Sequence, residues 1–290
     1  MRGDGRKYAL IGVPCFLRAG RLLAEQDTEL DGQLAFYLGL VCGHLKSQAF
    51  AEALAWQTGV APQDLQTVDF RVKVPNRPAS HYDFGAVSRD GNVSTRATAS
   101  LVGGSWGHAM FQLNACNYCD DIFAETADVA FGDAWLPRFK ADWRGTNVIV
   151  SRRPVIDEIL READDIWLEQ VSAQEVAETQ AGNFRHRRVG LSVRLQDDLD
   201  AGLSVPVKRV PPNVDGVDEK RLRLIRLRRV ISDRSHVAFD RARAANDLNV
   251  FLEAMQPLID KYAGIEHGGA GRRIKLAVGR RLRKLQSPKP

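Results

Sequence analysis

Tyr8-Ala9-Leu10-Ile11-Gly12-Val13-Pro14-Cys15 is an apolar run closed by a proline and then a cysteine. A run of this length bounded by a breaker predicts a buried strand. Pro14 has no N–H to give to a ladder, so the strand must stop there and deliver Cys15 into a turn. Phe16–Glu25 then reads as a helix. Leu34–Cys42 repeats the device: a second buried strand, again ending on a cysteine. Ser47–Thr58 reads as a helix with Phe50, Leu54 and Trp56. This strand–helix–strand–helix order predicts an α/β core. Both cysteines fall at carboxyl ends of strands, where open α/β sheets place their ligands.

Working outward, Gln66–Val74 and His81–Ser88 are strand-like. Arg89-Asp90-Gly91-Asn92 is a turn and Val93–Ala97 returns, which predicts a β-hairpin. Gly103–Gly107 predicts a loop leading to a helix that ends near Asn114. Thr146–Ser151 reads as a strand, Pro154–Ala163 as a helix, and Trp167–Val171 as a further strand. Glu175–Leu199 is mostly helical, broken near Gly182. Asp218–Ile231 and Ser235–Tyr262 predict two helices, with Ser235 as N-cap of the second. Gly264–Gly271 reads as a hinge before a final basic helix. The fold expected is mixed α/β: a central sheet flanked by helices, a β-hairpin insertion and a helical, basic C-terminal extension. Its expected divisions are 1–205, a helical region 206–263 and a basic tail 264–290.

Composition sets the class. The 290 residues are 44% hydrophobic and 27% charged, as in a globular chain rather than a disordered or collagenous one. No run approaches the roughly 18 apolar residues of a membrane span. The N-terminus lacks the apolar core of a signal peptide, so the cytoplasm is expected. Charge is uneven: from Lys220 to Pro290, 18 Lys and Arg stand against 6 Asp and Glu. The bland reading of that tail is a solvated helix face. The functional reading is contact with an acidic partner or a membrane surface. No nucleic-acid module accompanies it, so no specific nucleic acid is expected.

The four cysteines are Cys15, Cys42, Cys116 and Cys119. In a reducing compartment, metal or redox roles gain weight over disulfides. Cys116-x-x-Cys119 can grip one metal or two corners of a cluster, and alone it leaves zinc, iron–sulfur and a dithiol pair open. There is no second Cys-x-x-Cys for a zinc ribbon, and two single cysteines plus one pair suit a cluster built by the tertiary fold. Unrelated buried thiols remain the plain alternative. Pro14-Cys15 also reads as a nucleophile at a strand–helix turn. His44 is a candidate ligand or base, or simply a bonded loop histidine. Phe131-Gly132-Asp133-Ala134-Trp135 offers a glycine for close approach, a carboxylate and an aromatic, suited to a ribose or a flavin. Asn183-Phe184-Arg185-His186-Arg187-Arg188 offers cations for a pyrophosphate. The Gly-x-Gly-x-x-Gly and P-loop fingerprints are absent.

Taken in order, Gly12-Val13-Pro14-Cys15, Leu40-Val41-Cys42-Gly43-His44, Ala115-Cys116-Asn117-Tyr118-Cys119-Asp120-Asp121, Ala127–Trp135 and Gly145-Thr146-Asn147-Val148 resemble one family. It is the beta-subunit family of coenzyme F420 hydrogenase/dehydrogenase, in its C-terminal domain. The resemblance spans about residues 7–190. It implies a flavin- and iron–sulfur-dependent oxidoreductase module that passes electrons between an organic hydride carrier and a redox partner. The carrier would be deazaflavin coenzyme F420, a nicotinamide or similar. The resemblance assigns one 4Fe–4S cluster to Cys15, Cys42, Cys116 and Cys119. It assigns FAD contacts to Gly132, Asp133, Trp135, Gly145 and Thr146, with Arg185 and His186 added from the cationic run. His44 and Asp133 are the catalytic candidates. Two positions depart from the family pattern: Phe16 replaces its glutamine, and Cys42-Gly43-His44 reorders its Cys-His-Gly. The family's preceding N-terminal domain is not found ahead of the Pro-Cys strand. The alternative reading follows: a non-catalytic cluster-binding electron-transfer subunit that needs that domain or a partner chain. A third reading is a zinc-stabilised nucleic-acid module built from the same cysteines and tail.

Overall fold

The computed structural model describes residues 4–286, with side chains described as far as residue 268. In chain order the regular elements are β1 (Tyr8–Gly12), α1 (Pro14–Ala24), α2 (Thr28–Gln33), β2 (Leu34–Leu40), α3 (Ala49–Gln57), β3 (Leu65–Val72), β4 (Asp83–Ser88), β5 (Val93–Ala97), β6 (Val129–Asp133), α4 (Pro137–Lys140), β7 (Asn147–Ser151), α5 (Pro154–Glu162), α6 (Ala173–Thr179), α7 (Ala181–Arg187), α8 (Val189–Asp200), α9 (Glu219–Ala245) and α10 (Leu248–Gln286). The fold is mixed α/β with two sheets and a helical C-terminal extension. Among the described residues, no helix is long and apolar enough to cross a membrane.

The chain divides into two compact units. One comprises 1–43, 119–191 and 208–210; the other comprises 44–118, 192–207 and 211–290.

The first unit is built on a sheet of order β1-β2-β6-β7. The first three strands are parallel and β7 returns antiparallel, with Asp133 opposite Asn147. Pro14 starts α1 at its first turn, as the sequence requires. Leu17 of α1, Tyr37, Ala124, Ala127 and Ala130 form the core on one face. The residues are small because the chain runs close. A Cβ on Gly39 would lie 2.5 Å from the Ala124 Cβ. Asp128 is buried at the centre of this unit. It accepts hydrogen bonds from Arg21 (2.9 Å) and from the Tyr37 N–H (2.8 Å). The Arg21 guanidinium also lies over the Tyr37 ring, 3.8 Å from its centroid.

The second unit joins the antiparallel sheet β3-β4-β5 to α3, α9 and α10. Its core is aromatic: Phe50, Phe84, Phe111, Phe239 and Phe251, with Met110 and Met255. Phe111 and Phe251 stack at 5.7 Å, and Phe239 meets both edge-on.

Three expectations are corrected. Ser235 caps no helix. It lies fully buried inside an unbroken α9, whose N-cap is Asp218. The Ser235 hydroxyl donates to the Ser232 carbonyl and accepts from the Phe111 N–H at 2.7 Å, so it serves tertiary packing instead. The helix break falls at Asn246, in the left-handed region at φ 49°. The segment before Asn114 is not a helix. Ala109 and Phe111 have positive φ, and the stretch pairs with 45–47 instead. Trp167–Val171 forms no strand; Trp167 and Leu168 stay exposed rather than entering a sheet. The helical stretch 173–200 breaks at Gln180, close to Gly182 as expected, and again at Arg188. At the C-terminus, α10 carries a non-helical break at Gly268 (φ 68°, ψ 176°), inside the glycine-rich stretch. The basic side chains beyond it lie outside the described residues.

Candidate functional site

Three thiols, Cys15, Cys42 and Cys119, belong to the sheet unit, and Cys116 belongs to the helical unit. All four are free cysteines. Cys15 is exposed in the first turn of α1, directly after β1. Cys42 lies just past β2, and its N–H donates to the Ile122 carbonyl at 3.0 Å. That bond seats it beside the loop that begins at Cys119. The Cys119 thiol lies 3.6 Å from the Asp121 carbonyl, as donor.

The residue that organises this corner is Arg187, near the end of α7. It is 1% exposed. Its guanidinium donates to the Cys119 carbonyl at 3.1 Å and to the Cys42 carbonyl at 3.3 Å. One rigid, planar cation thus ties the two cysteine loops together. The adjacent Arg188 donates to the Asp120 carbonyl. Arg209 pairs bidentately with Glu125 at 2.8 Å. Burial raises the Asp121 carboxyl above its ordinary value, partly offset by the Glu125 N–H bonded to it. The cationic run therefore supplies its organiser from Arg187, whereas the sequence reading singled out Arg185 and His186. Arg185 is exposed and His186 is buried. A helical run of three basic residues in which one must face inward was the available signal.

The flavin-side candidates come together at one end of the β6–β7 pair. Gly132 is opposite Val148 and Asp133 is opposite Asn147; the Ala134 N–H donates to the Thr146 carbonyl at 2.9 Å. Gly132 has a packing reason to be glycine: its Cβ would sit 2.5 Å from Val41 Cγ2. Gly145 adopts φ 82° in the turn into β7. Gln180, between α6 and α7, donates to the Asp133 carbonyl at 2.8 Å, and Trp135 is half-buried. Gly132, Asp133, Trp135, Gly145 and Thr146 thus share one rim.

In the helical unit, Cys116 Sγ accepts a hydrogen bond from the Leu45 N–H at 3.2 Å. His44 is buried and stacked on Trp106 at 5.0 Å. His44 and Asp133 belong to different units.

Four soft sulfurs suit iron–sulfur chemistry. An N–H aimed at Cys116 Sγ is the kind of bond that tunes a cluster thiolate. Among the described residues, no three histidine, cysteine or carboxylate groups converge as a metal-binding set. The fit to a cluster therefore lies in the donor chemistry and in the clamped cysteine loops.

Residues 5–175 match the family described as the C terminus of the beta subunit of coenzyme F420 hydrogenase/dehydrogenase. The chain belongs to this family. Membership supports an oxidoreductase and electron-transfer role of the beta-subunit kind. The chain is also similar to a chain in the xenon-derivatised F420-reducing [NiFe] hydrogenase complex from Methanosarcina barkeri. The two are 16% identical with a TM-score of 0.44, over 71% of this chain and 67% of that one. No curated protein matches.

Proposed function

We propose that this chain is the flavin- and iron–sulfur-dependent module of an oxidoreductase. In this reading it moves electrons between an organic hydride carrier, coenzyme F420 or similar, and a redox partner protein. The observation that carries the reading is the Arg187 clamp, a buried cation holding the loops of Cys42 and Cys119 in one place. Cys15, Cys42, Cys116 and Cys119 are the thiolates that would hold one 4Fe–4S cluster. Gly132, Asp133, Trp135, Gly145 and Thr146 would line the FAD, with Arg185 on the neighbouring α7. When bound, the flavin handles hydride and the cluster handles single electrons.

The chain's own residues have separate tasks. Arg187 fixes the backbone at two thiol positions and leaves their sulfurs to point elsewhere. Its positive charge would also favour a reduced, more negative cluster. The glycine at 132 lets β6 lie close to Val41. Gln180 holds the Asp133 backbone, so the carboxylate is offered from a fixed strand end. Around Cys15, exposed Ile11, Phe16 and Leu40 leave an apolar margin, which supports docking of a redox partner or further domain at this thiol.

The test is anaerobic purification of the full chain, followed by its visible spectrum and iron, sulfide and flavin assays. About four irons and four sulfides per chain, lost in Cys116→Ser, are expected if one cubane sits on four thiolates. Flavin bands in the same spectrum support the catalytic form. Cluster absorption without flavin favours the electron-transfer subunit. Zinc alone, or no metal, overturns the redox reading for this chain.

A further inference from the structure

The helical unit has a cavity that the redox reading does not use. It measures about 260 Å³ and lies between α3, the turn before β3 and the C-terminal end of α9. Its walls are Glu52 and Trp56 of α3, Pro62 and Gln63 of the turn, and Arg243 and Asn246 at the end of α9. Glu52 is only 9% exposed, and a carboxylate is rarely buried to that degree unless it is fully partnered. Gln48, one turn back, donates to its Oε1 at 2.7 Å. Its Oε2 is buried as well, yet no hydrogen-bond donor meets it among the described residues. Arg243 stands 3.6 Å from Oε2, close enough to pair in charge and too far for a hydrogen bond.

A buried carboxylate oxygen without a donor costs free energy that a ligand's donor recovers. Arg243 is in the converse position. Its side chain is 54% exposed, and a guanidinium carries five N–H donors in a fork that fits a carboxylate. The cavity thus presents an acceptor in need of a donor and, beside it, a cation able to take an acid. The two charges balance, which favours a molecule carrying both signs over a simple anion or a simple cation. Trp56 supplies an apolar wall. It is half-buried and meets Phe239 edge-on at 6.2 Å, so its ring is braced by the core. Pro62 adds a second apolar surface. The volume falls below the roughly 300 Å³ at which pockets for drug-sized ligands begin, so the occupant is small.

We propose that this cavity binds a free α-amino acid with an aromatic side chain. The ammonium of the ligand donates to Glu52 Oε2, its carboxylate accepts from an Arg243 that swings outward, and its ring rests against Trp56 and Pro62. None of these residues is among those assigned to the cluster or the flavin. The site therefore stands whether or not the redox reading holds.

The probes are L-phenylalanine, L-phenylalaninamide, phenylpropionate and L-alanine, each titrated calorimetrically into the full chain at neutral pH. The amide lacks the carboxylate, phenylpropionate lacks the ammonium and alanine lacks the ring. L-Phenylalanine is expected to bind roughly tenfold or more tightly than each of the other three, one charged hydrogen bond or one ring contact being lost in each case. Arg243→Gln alters an exposed side chain. It should bring L-phenylalanine down to the level of the amide and leave the amide unchanged. Glu52→Gln keeps the shape and can still accept from Gln48. It should bring L-phenylalanine down to the level of phenylpropionate. No binding of L-phenylalanine at millimolar concentration, or binding unaltered in Arg243→Gln, overturns the site. Equal binding of L-alanine overturns the ring assignment, and equal binding of the amide or of phenylpropionate overturns the two-charge recognition. Should Glu52→Gln fail to fold, Arg243→Gln still decides.

Discussion

The sheet unit packs small residues around one buried carboxylate, whereas the helical unit packs large rings around buried hydroxyls. In the first, Ala124, Ala127, Ala130 and Gly39 let strands and loops approach closely, and Asp128 gathers Arg21 and the Tyr37 N–H. In the second, Phe111, Phe239 and Phe251 fill the space, and Ser232 and Ser235 satisfy the backbone of 111–112. The contrast is also one of provenance. The family match ends at residue 175, yet α9 and α10 supply Phe239, Phe251, Ser232 and Ser235. The extension is thus part of the core of its unit, not an appendage. Polar geometry sets the first unit and apolar volume sets the second, so each should fail in its own way.

The largest effect is expected where volume dominates. Phe251 is fully buried and touches two other rings. Phe251→Ala should cost about 3–5 kcal/mol in urea unfolding. A loss under 1 kcal/mol would mean that the extension does not share the core. Next comes Asp128→Ala in the sheet unit. Breaking a buried pair costs about 3–5 kcal/mol. Arg21 is partly exposed here, so the lower end applies. Asp128→Asn should recover part of that loss, because it can still accept from Tyr37. Equal losses in the two variants would show that charge, not hydrogen bonding, organises this unit.

Ser235→Ala isolates the smaller polar contribution in the aromatic unit. It strands the Phe111 N–H in a fully buried site, at about 1–3 kcal/mol. Hydrogen exchange at Phe111 should speed up with it. The Lys46 ammonium gives the same unit a pH signature. Burial holds its folded value at about 7, below the ordinary lysine range, so the unfolded chain binds more protons above pH 7. Stability should therefore rise from about pH 7 towards pH 10, and Lys46→Met should flatten that rise.

Much of this architecture was legible in the sequence because the deciding signals are local. Pro14 ends β1 and starts α1, and Asp90-Gly91 turns β4 into β5 whatever lies around them. The misreadings share one cause. Ser235 looks like a cap only if its hydroxyl is assumed to serve its own helix, but it serves Phe111, 124 residues away. Ala109 and Phe111 take left-handed conformations that no local rule favours for those residues. The segment is held by tertiary bonds to Ser47 and Ser235. At the site, the cysteines announce themselves by spacing and by strand ends. Arg187 does not, because its partners are the carbonyls of Cys42 and Cys119, and a carbonyl leaves no mark in a sequence.

The smallest effect is expected at the surface of that same corner. Arg209 and Glu125 pair at 2.8 Å across 84 residues, and Arg209 also reaches Asp120, next to Cys119. Both Arg209 and Glu125 are exposed enough for solvent to screen them, so Arg209→Gln should cost about 0.2–1 kcal/mol and less at high salt. Arg187 makes bonds of the same kind, guanidinium to oxygen, but from a buried position where water cannot replace it. Arg187→Met should therefore destabilise several times more than Arg209→Gln, and salt should leave its cost nearly unchanged. If the two arginines behave alike in a salt titration of unfolding midpoints, burial is not what makes the clamp. The Cys42 and Cys119 loops would then be held by their own backbone bonds, with Arg187 a bystander.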